Sequence, residues 1–435
     1  MSFRLKRFIQ IIKNYFWHLP KSIYFNFYYG FPSKKLFLIG VTGTDGKTTT
    51  CTLIHQLLTN AGYKADSFTT INSPGLHTTS PDSSVVQKIL KEKVANGITH
   101  LVIETTAHGL DQFRFWGCEF DVGIITNVSH EHFDDYINFD TYIKAKTKLF
   151  HQSKFAIINK DDRSYEFIKK NIHCPYRTYS LKNQSDYQGK IIKIDENLLK
   201  FKINDQLFTT DSPYSYLIYN ILPAFILSQK LNINTVDFQN LIKSFPETKG
   251  RREEIQNDIG IRTIIDFAHT PAALEATLSS LKKITKNKLI VIFGATGGRD
   301  QSKRPLMGKT VSDIANIAII TADDTRHESI QKINSQIIFG INPQKSQLSQ
   351  LPLDKKKTKD LRLQSENKFI YFNIPNRQDA FNLAIKISEI GDTVIACGKG
   401  HENTILHGST EYPWSETEAF YMAIKNRNRK IKTLI

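Results

Sequence analysis

Lys47 and Thr48 follow Gly43 and Gly46 in the run Gly40–Thr50, GVTGTDGKTTT, directly after the apolar stretch Leu36–Ile39. Residue types in this order can seat a polyphosphate. A strand that ends in a glycine-rich turn and restarts as a helix aims several backbone N–H groups at one point, where the positive end of the helix dipole adds to them. Gly43 and Gly46 let the backbone curl close to the phosphates, Lys47 reaches the outer ones as a point charge, and the Thr48 hydroxyl can face Mg²⁺. Val41 stands where the strict G-x-x-x-x-G-K-[ST] pattern asks for glycine. An ordinary strand-to-helix turn is therefore the competing reading, disfavoured because strand, turn, Gly-Lys-Thr and the apolar helix Cys51–Leu58 come in the required order.

Two more strand ends carry groups suited to such a seat. His100–Glu104 (HLVIE) reads as a buried strand delivering Glu104, followed by Thr105, Thr106, Ala107 and His108. A carboxylate at a strand end beside a phosphate loop is a usual holder of Mg²⁺, helix capping being the alternative. The strand Val122–Thr126 runs into Asn127-Val128-Ser129-His130-Glu131-His132, whose histidines are candidates for catalysis or metal binding rather than core residues, because they too stand at a strand end.

The elements that must position these groups alternate. From Leu36 to about Lys160, strands and helices follow one another, which implies a mainly parallel sheet with helices on its faces and ligands at the strands' carboxyl ends. Short alternating runs within Gln188–Thr210 suggest antiparallel hairpins, then helices Tyr216–Leu231 and Thr235–Ser244. Pro246–Gly250 reads as a linker, after which the alternation restarts at Arg262–Asp266 and runs to Thr393–Cys397, with Gln344–Lys368 expected as an exposed loop. The fold class expected is α/β: a P-loop central ATPase domain with a mainly parallel sheet, plus a C-terminal Rossmann-like α/β domain. The boundaries are a basic apolar segment over 1–35, a central domain over 36–245 and a C-terminal domain over 246–435.

A chain of 435 residues is too long for one core. The net charge of +16 raises the question of nucleic acid, yet the basic residues are spread along the chain without a basic–aromatic recognition motif, so no nucleic-acid partner is expected. Cys51, Cys118, Cys174 and Cys397 form no C-x-x-C pair, which disfavours a disulfide framework or zinc site and suits a reducing cytoplasm. Residues 1–35 hold Arg4, Lys6, Arg7, Lys13, Lys21, Lys34 and Lys35 and no acid, among Phe3, Leu5, Phe8, Ile9, Ile12, Phe16 and Trp17. Charges interrupt every apolar run before it could span a bilayer. Two readings stay open for this segment: an amphipathic helix lying on anionic lipid at the inner face of the membrane, or a helix packed on the following domain.

Taken together, residues 36 to 425 resemble the Mur ligase family, most closely the branch that adds the third peptide residue to the peptidoglycan precursor. Gly43-Thr44-Asp45-Gly46-Lys47-Thr48, with Thr49 after it, is similar to the family's phosphate loop, Asp45 standing where Asn is commoner. Thr78 and Thr79 resemble its substrate-side threonines, displaced by one residue. Glu104, with Thr106 and His108, resembles the segment that supplies a magnesium carboxylate and contacts substrate, and His132 the ligand of a second magnesium. Lys146, in Tyr142–Phe150, falls where the family carries a carbamylated lysine, a cation turned into a carboxylate-like ligand. The resemblance further implies nucleotide contacts by Asn220, near adenine, and by Arg251, Asp266 and His269. It implies acceptor contacts by Asp323, Asp324 and Arg326, where an Asp-Asn-Pro-Arg motif accompanies meso-diaminopimelate, and by Gly398 and Glu402. Retention of Arg326 fits a bidentate grip on a carboxylate.

The resemblance implies an ATP- and Mg²⁺-dependent ligase that joins a diamino acid to a muramyl dipeptide through an acyl-phosphate, with diaminopimelate and lysine both open. Family members begin with a domain that grips the uridine nucleotide, and only the basic segment stands in that place here. The acceptor's carrier is thus open as well. Competing readings are a folylpolyglutamate synthase-like or amidating ligase, a nucleotide-binding scaffold without catalysis, and a P-loop nucleic-acid motor. The retained Asp323–Arg326 and Gly398–Glu402 segments disfavour the first, intact Lys47, Thr48, Glu104, His132 and Lys146 the second, and the lack of a basic groove signature the third.

Overall fold

The computed structural model describes residues 3–71, 80–129, 136, 138–244, 248–351 and 354–432. The chain divides into two compact units, Met1–Pro246 and Glu247–Ile435. In the first, nine strands form one sheet: β1 (Phe37–Thr42), β2 (Ala65–Phe68), β3 (His100–Glu104), β4 (Val122–Ile125), β5 (Ala156–Asn159), β6 (Tyr176–Ser180), β7 (Tyr187–Asp195), β8 (Leu198–Ile203) and β9 (Gln206–Thr210), in the order 2-3-1-4-5-6-7-8-9. Pairing is parallel as far as β7, and antiparallel through β8 and β9. Covered on both faces, the inner strands can be apolar along their whole length, as Leu101–Ile103 and Ile124–Ile125 are. The helix Lys47–Asn60 lays Cys51, Leu53, Ile54, Leu57 and Leu58 into the core.

The strand order places the chemistry. From β1 the chain goes to one side for β2 and β3, then to the other for β4 to β6, and the reversal leaves a crevice at the carboxyl end of β1. Gly43 follows β1, Glu104 closes β3 beside Val41, and Thr126 and Asn127 follow β4.

The second unit has β10 (Glu253–Ile255), β11 (Arg262–Asp266), β12 (Leu289–Phe293), β13 (Ile317–Ile320), β14 (Ser346–Leu348), β15 (Phe369–Asn373) and β16 (Thr393–Cys397), ordered 10-11-16-12-13-15-14 and parallel except for β10. β12, β13 and β16 are buried throughout. A separate hairpin joins β17 (Thr404–His407) to β18 (Thr410–Pro413). Asp266, Gly294, Asp323 and Gly398 all stand at or just past carboxyl ends of the parallel strands.

Gln344–Lys368 is not the exposed loop its composition suggests. It contains β14 and the helix Lys355–Gln364, capped by Asp354 Oδ1 accepting from Lys357 N at 2.7 Å. Leu361 is buried, and Arg362 reaches Asp392 at 2.6 Å. Its single apolar-and-arginine edge is too narrow to stand out from the lysines around it. The short strands β2 and β6 leave little trace in the sequence, because four or five half-polar residues carry little periodicity. Pro246 and Glu247 of the Pro246–Gly250 linker lie outside the described residues, whereas Thr248 O accepts from Arg251 N at 2.9 Å and Gly250 N donates to Glu253 Oε2 at 2.7 Å.

Residues 3–29 belong to the first unit as two helices, Phe3–Lys13 and Leu19–Tyr29, joined by a π-helical turn over Asn14–His18. They pack on the domain, but through polar side chains: of residues 7–29, whose side chains are described, Asn14, Ser22 and Asn26 are the buried ones.

Candidate functional site

In the first unit the phosphate loop is held open by its neighbours. Asn127 grips the Asp45 backbone with both ends of its amide, Oδ1 accepting from Asp45 N at 3.0 Å and Nδ2 donating to Asp45 O at 2.9 Å. Thr126 Oγ1 donates to the same carbonyl at 2.7 Å, and Thr44 N to Asn127 O at 2.9 Å. The Asp45 carboxylate accepts from Ser129 Oγ at 3.2 Å, while Thr44 Oγ1 accepts from Ser129 N at 3.0 Å. Gly43 has φ 150°, and a Cβ there would lie 1.9 Å from Thr126 Oγ1, so only glycine fits. Gly46, at φ 81°, caps the helix Lys47–Asn60, whose first N–H groups have no side-chain cap and are available to an anion. Thr48 and Thr49 are buried at its first turn.

Both lysines of the expected site converge on one carbonyl. Lys47 Nζ donates to Gly43 O at 3.1 Å and Thr44 O at 2.7 Å, folding over the seat; Lys146 Nζ donates to Gly43 O at 2.6 Å. Lys146, from the helix Phe139–Thr147, is 1% exposed and stands 4.5 Å from the centre of the Tyr142 ring. A buried lysine beside the phosphate loop is unlike the solvated residue that helical spacing alone would imply.

Glu104 is fully buried at the end of β3. Oε2 accepts from Thr70 Oγ1 at 2.9 Å, whereas Oε1 is buried with no hydrogen-bond partner among the described residues. An orphaned buried carboxylate oxygen is costly by itself and suits a cation ligand. With Thr48 buried at the first turn of the helix that follows β1, the strand paired with β3, these residue types fit Mg²⁺. Thr106 caps the short helix Ala107–Asp111 by accepting from Gly109 N at 3.0 Å, and His108 of that helix lies 5.4 Å from the Tyr136 ring. Asn220, expected to contact the nucleotide near adenine, stands beside Gly46 of the phosphate loop: a Cβ on Gly46 would meet its Oδ1 at 2.9 Å. Thr78, Thr79 and His132 lie outside the described residues.

In the second unit, Asp266 braces a turn, its Oδ2 accepting from Arg252 N and its Oδ1 from Ala268 N, both at 2.9 Å. Arg251 lies 4.1 Å over the Phe267 ring, which also meets His269 at 4.7 Å and His401 at 5.2 Å. Burial, with the Arg251, Lys249 and Lys399 charges adding to it, holds the His401 imidazole down at about 4. Between about 6.5 and 4 the unfolded chain therefore binds more protons than the folded one. The contribution is whole above pH 6.5 and lost as pH falls through 4. We expect His401→Gln to flatten the acid limb of a thermal-denaturation profile over that window; parallel wild-type and variant profiles would contradict it.

Asp323, Asp324 and Glu402 bring carboxylate oxygens within 4.8 Å of one another. Lys399 lies among them, its Nζ 2.7 Å from Asp324 and 2.5 Å from Glu402. Burial alone would raise the Asp323 carboxyl, but the Lys399 and Arg377 charges outweigh it and hold it below the usual range. Glu402 is pushed up by burial against the pull of Lys399. Gly398, at φ 113°, lets the backbone pass Asp323 Oδ2, which a Cβ would meet at 2.7 Å. Arg326 sits at φ 51°, its backbone pinned between Leu406 O and Gly408 N; burial and the adjacent Arg299 charge lower its pKa.

Sequence reading misses the supports. Arg377 pairs with Glu416 in a buried fork at 2.7 Å while donating to Ala322 O and Cys397 O, tying the ends of β13 and β16 together. Arg304 grips Glu328, whose Oε2 accepts from Gly298 N. Asn127 is in view as part of a strand-end segment, but its clamp joins residues 82 apart in sequence. Only the position of Asn127 directly after a strand could hint at it.

Comparison with known proteins agrees with this layout. The Mur ligase middle domain matches residues 41–228, and the Mur ligase glutamate ligase domain residues 250–400. A UDP-N-acetylmuramoyl-L-alanyl-D-glutamate–2,6-diaminopimelate ligase of Clostridium perfringens is 32% identical over 92% of this chain and 81% of its own. A solved structure of a ligase of that name aligns with TM-score 0.59 and 27% identity over 90% of this chain and 79% of the other. The MurF ligase of Thermotoga maritima in complex with ADP shares the fold, with TM-score 0.64 and 16% identity over 92% of this chain and 83% of that one. With both domains matched in order and a relative this similar over most of its length, the chain belongs to the Mur ligase family and is an ATP-dependent, amide-forming ligase.

Proposed function

We propose that the protein joins 2,6-diaminopimelate to the dipeptide of UDP-N-acetylmuramoyl-L-alanyl-D-glutamate in peptidoglycan precursor synthesis. The observation that carries this is the pairing, in the second unit, of a carboxylate cluster with two adjacent guanidiniums. Asp323, Asp324 and Glu402 suit the ammonium end of an amino acid, and Arg326 with Arg299 suits a carboxylate. Lysine has only one carboxylate to offer, and diaminopimelate has two. The names of the relatives point the same way.

Amide formation needs an activated carboxylate. The acceptor carboxylate attacks the γ-phosphorus of ATP, the bond to the β,γ-bridging oxygen breaks, and ADP leaves. The amine then attacks the acyl-phosphate carbonyl, losing a proton as phosphate departs. Lys47 leaves the Gly43 and Thr44 carbonyls for the γ-phosphate, and the N–H groups at the start of the helix Lys47–Asn60 hold the neighbouring phosphates. Thr48, Glu104, His132 and Lys146 as its carbamate are the residues assigned to hold Mg²⁺, which when bound neutralises charge on the transferring phosphoryl group. Thr44, Asp45 and Thr49 complete the loop, and Asn220, Arg251, Asp266 and His269 are assigned to the rest of the nucleotide. Thr78, Thr79, Thr106 and His108 are assigned to the muramyl peptide.

The test is phosphate release from ATP with the UDP-linked dipeptide and either 2,6-diaminopimelate or L-lysine. Release is expected to depend on diaminopimelate, with Arg326→Lys raising its KM about tenfold or more, since a lysine cannot make the bidentate contact. Equal use of both amino acids would contradict the assignment of Arg326. Residues 1–35 are read as a peripheral membrane contact of the same protein.

A further inference from the structure

The helix that opens the chain is inverted relative to an ordinary surface helix. Its buried stripe is polar: Arg7 pairs with Asp111 at 2.8 Å, Asn14 donates to Asp111 O at 3.1 Å, and Asn26 donates to Trp116 O at 2.5 Å. Its outward face is apolar and aromatic: Phe8, Ile9, Ile12, Phe16 and Trp17 are exposed, as are Tyr24, Phe27 and Tyr28 one segment later, whereas Tyr15 turns its ring onto Phe113 of the domain. Phe16 is 79% exposed, Phe27 68% and Trp17 62%, values that a helix serving only this domain would have no reason to keep.

The backbone is adjusted to maintain the inversion. Pro20 has no N–H and cannot follow an ordinary α-turn without cost; the π-helical turn over Asn14–His18 comes just before it. Two α-turns hold roughly 7.2 residues, and Asn14 and Ser22 are eight apart. The wider π turn absorbs the surplus, so Asn14, Ser22 and Asn26 stay on one side and the aromatic residues stay on the other.

Charge names the occupant. The first acid in the sequence is Asp45. Of the basic residues before Leu36, Arg7, Lys21 and Lys34 pair with Asp111, Asp82 and Glu119, while Lys35 is exposed. Lys13 is exposed beside the apolar face. Tyrosine and tryptophan at the edge of such a face are suited to the boundary between lipid and water. Among the described residues no helix is long and apolar enough to cross a membrane. We propose that residues 7–28 dock the outward face of this helix on an anionic lipid bilayer, lying in its surface. The proposal deepens the peripheral-contact reading above and stands apart from the ligase assignment. Its polar stripe is bonded to Asp111 and Trp116, in the segment that follows Glu104, so the docked helix holds the phosphate-loop unit by that segment.

The test is co-sedimentation of the full chain with phosphatidylglycerol-rich or phosphatidylcholine vesicles, at low and high salt. Binding to the anionic vesicles is expected to exceed binding to the neutral ones at least tenfold, to fall at high salt, and to blue-shift tryptophan emission in a way that Trp17→Phe removes. The triple variant Phe16→Gln, Trp17→Gln, Phe27→Gln, altering exposed side chains only, is expected to lose binding at least tenfold. Its ATP-dependent phosphate release without vesicles should match the wild type, which separates failure of this proposal from failure of the ligase reading. Equal binding to both vesicle types, or none, would overturn the proposal. So would a wild-type dimer that the triple variant converts to a monomer, since the face would then belong to a second copy.

Discussion

Lys47→Ala is expected to lower kcat about 10²–10³-fold or more while leaving the fold intact. The size follows from where the charge acts. Lys47 Nζ now rests on two loop carbonyls, Gly43 O and Thr44 O, contacts that a triphosphate would replace with its own oxygens. A cation realised at the transferring phosphoryl group counts chiefly in the transition state, so kcat should fall more than KM for ATP rises. The loop itself does not need Lys47, since Asn127, Thr126 and Ser129 hold Thr44 and Asp45 from the other side. Unchanged denaturation midpoints with an activity loss of that size would support this division of labour. A variant with near-normal kcat would remove Lys47 from the chemistry.

Glu104→Gln should have an effect as large on turnover and the opposite sign on stability. The wild-type carboxylate is fully buried, satisfied on Oε2 by Thr70 and on Oε1 by no group among the described residues. In metal-free protein an amide there costs less to bury than a charge, so the variant is expected to be as stable as wild type or more so by about 1 kcal/mol. With Mg²⁺ and nucleotide the order reverses: wild type gains stability by linkage and the variant gains much less. Melting both proteins with and without EDTA checks the two signs together. A variant less stable than wild type without metal would mean that Glu104 is a structural residue.

How far the sequence discloses this site depends on the range of the interactions. The phosphate loop is legible because its chemistry lies in one short run, Gly43 to Thr48, and because glycine positions report backbone shape directly. Glu104 is legible because a buried strand must end somewhere, and its end is a carboxylate. The clamp by Asn127, the Thr70 contact with Glu104 and the Arg377–Glu416 fork join residues from separate elements, and no local pattern marks them. Lys146 reads from its helix as a solvated residue; only the resemblance to a family places it in the site, and the fold puts it against Gly43. The opening helix is where the sequence leaves two readings open. Periodicity gives its apolar face, and the usual inference turns that face inward, whereas here Asn14, Ser22 and Asn26 are the residues turned in.

The central claim is that ATP activates a carboxylate by phosphorylating it, and isotope transfer tests that most directly. UDP-N-acetylmuramoyl-L-alanyl-D-glutamate labelled with ¹⁸O in the reacting carboxylate is turned over with ATP and 2,6-diaminopimelate, and the released phosphate is analysed by mass. One ¹⁸O in the phosphate for each tripeptide formed is the expected result, because the acyl-phosphate breaks at the carbonyl carbon. Tripeptide formed with unlabelled phosphate would contradict activation through an acyl-phosphate, and phosphate released without tripeptide would contradict the ligase reading itself.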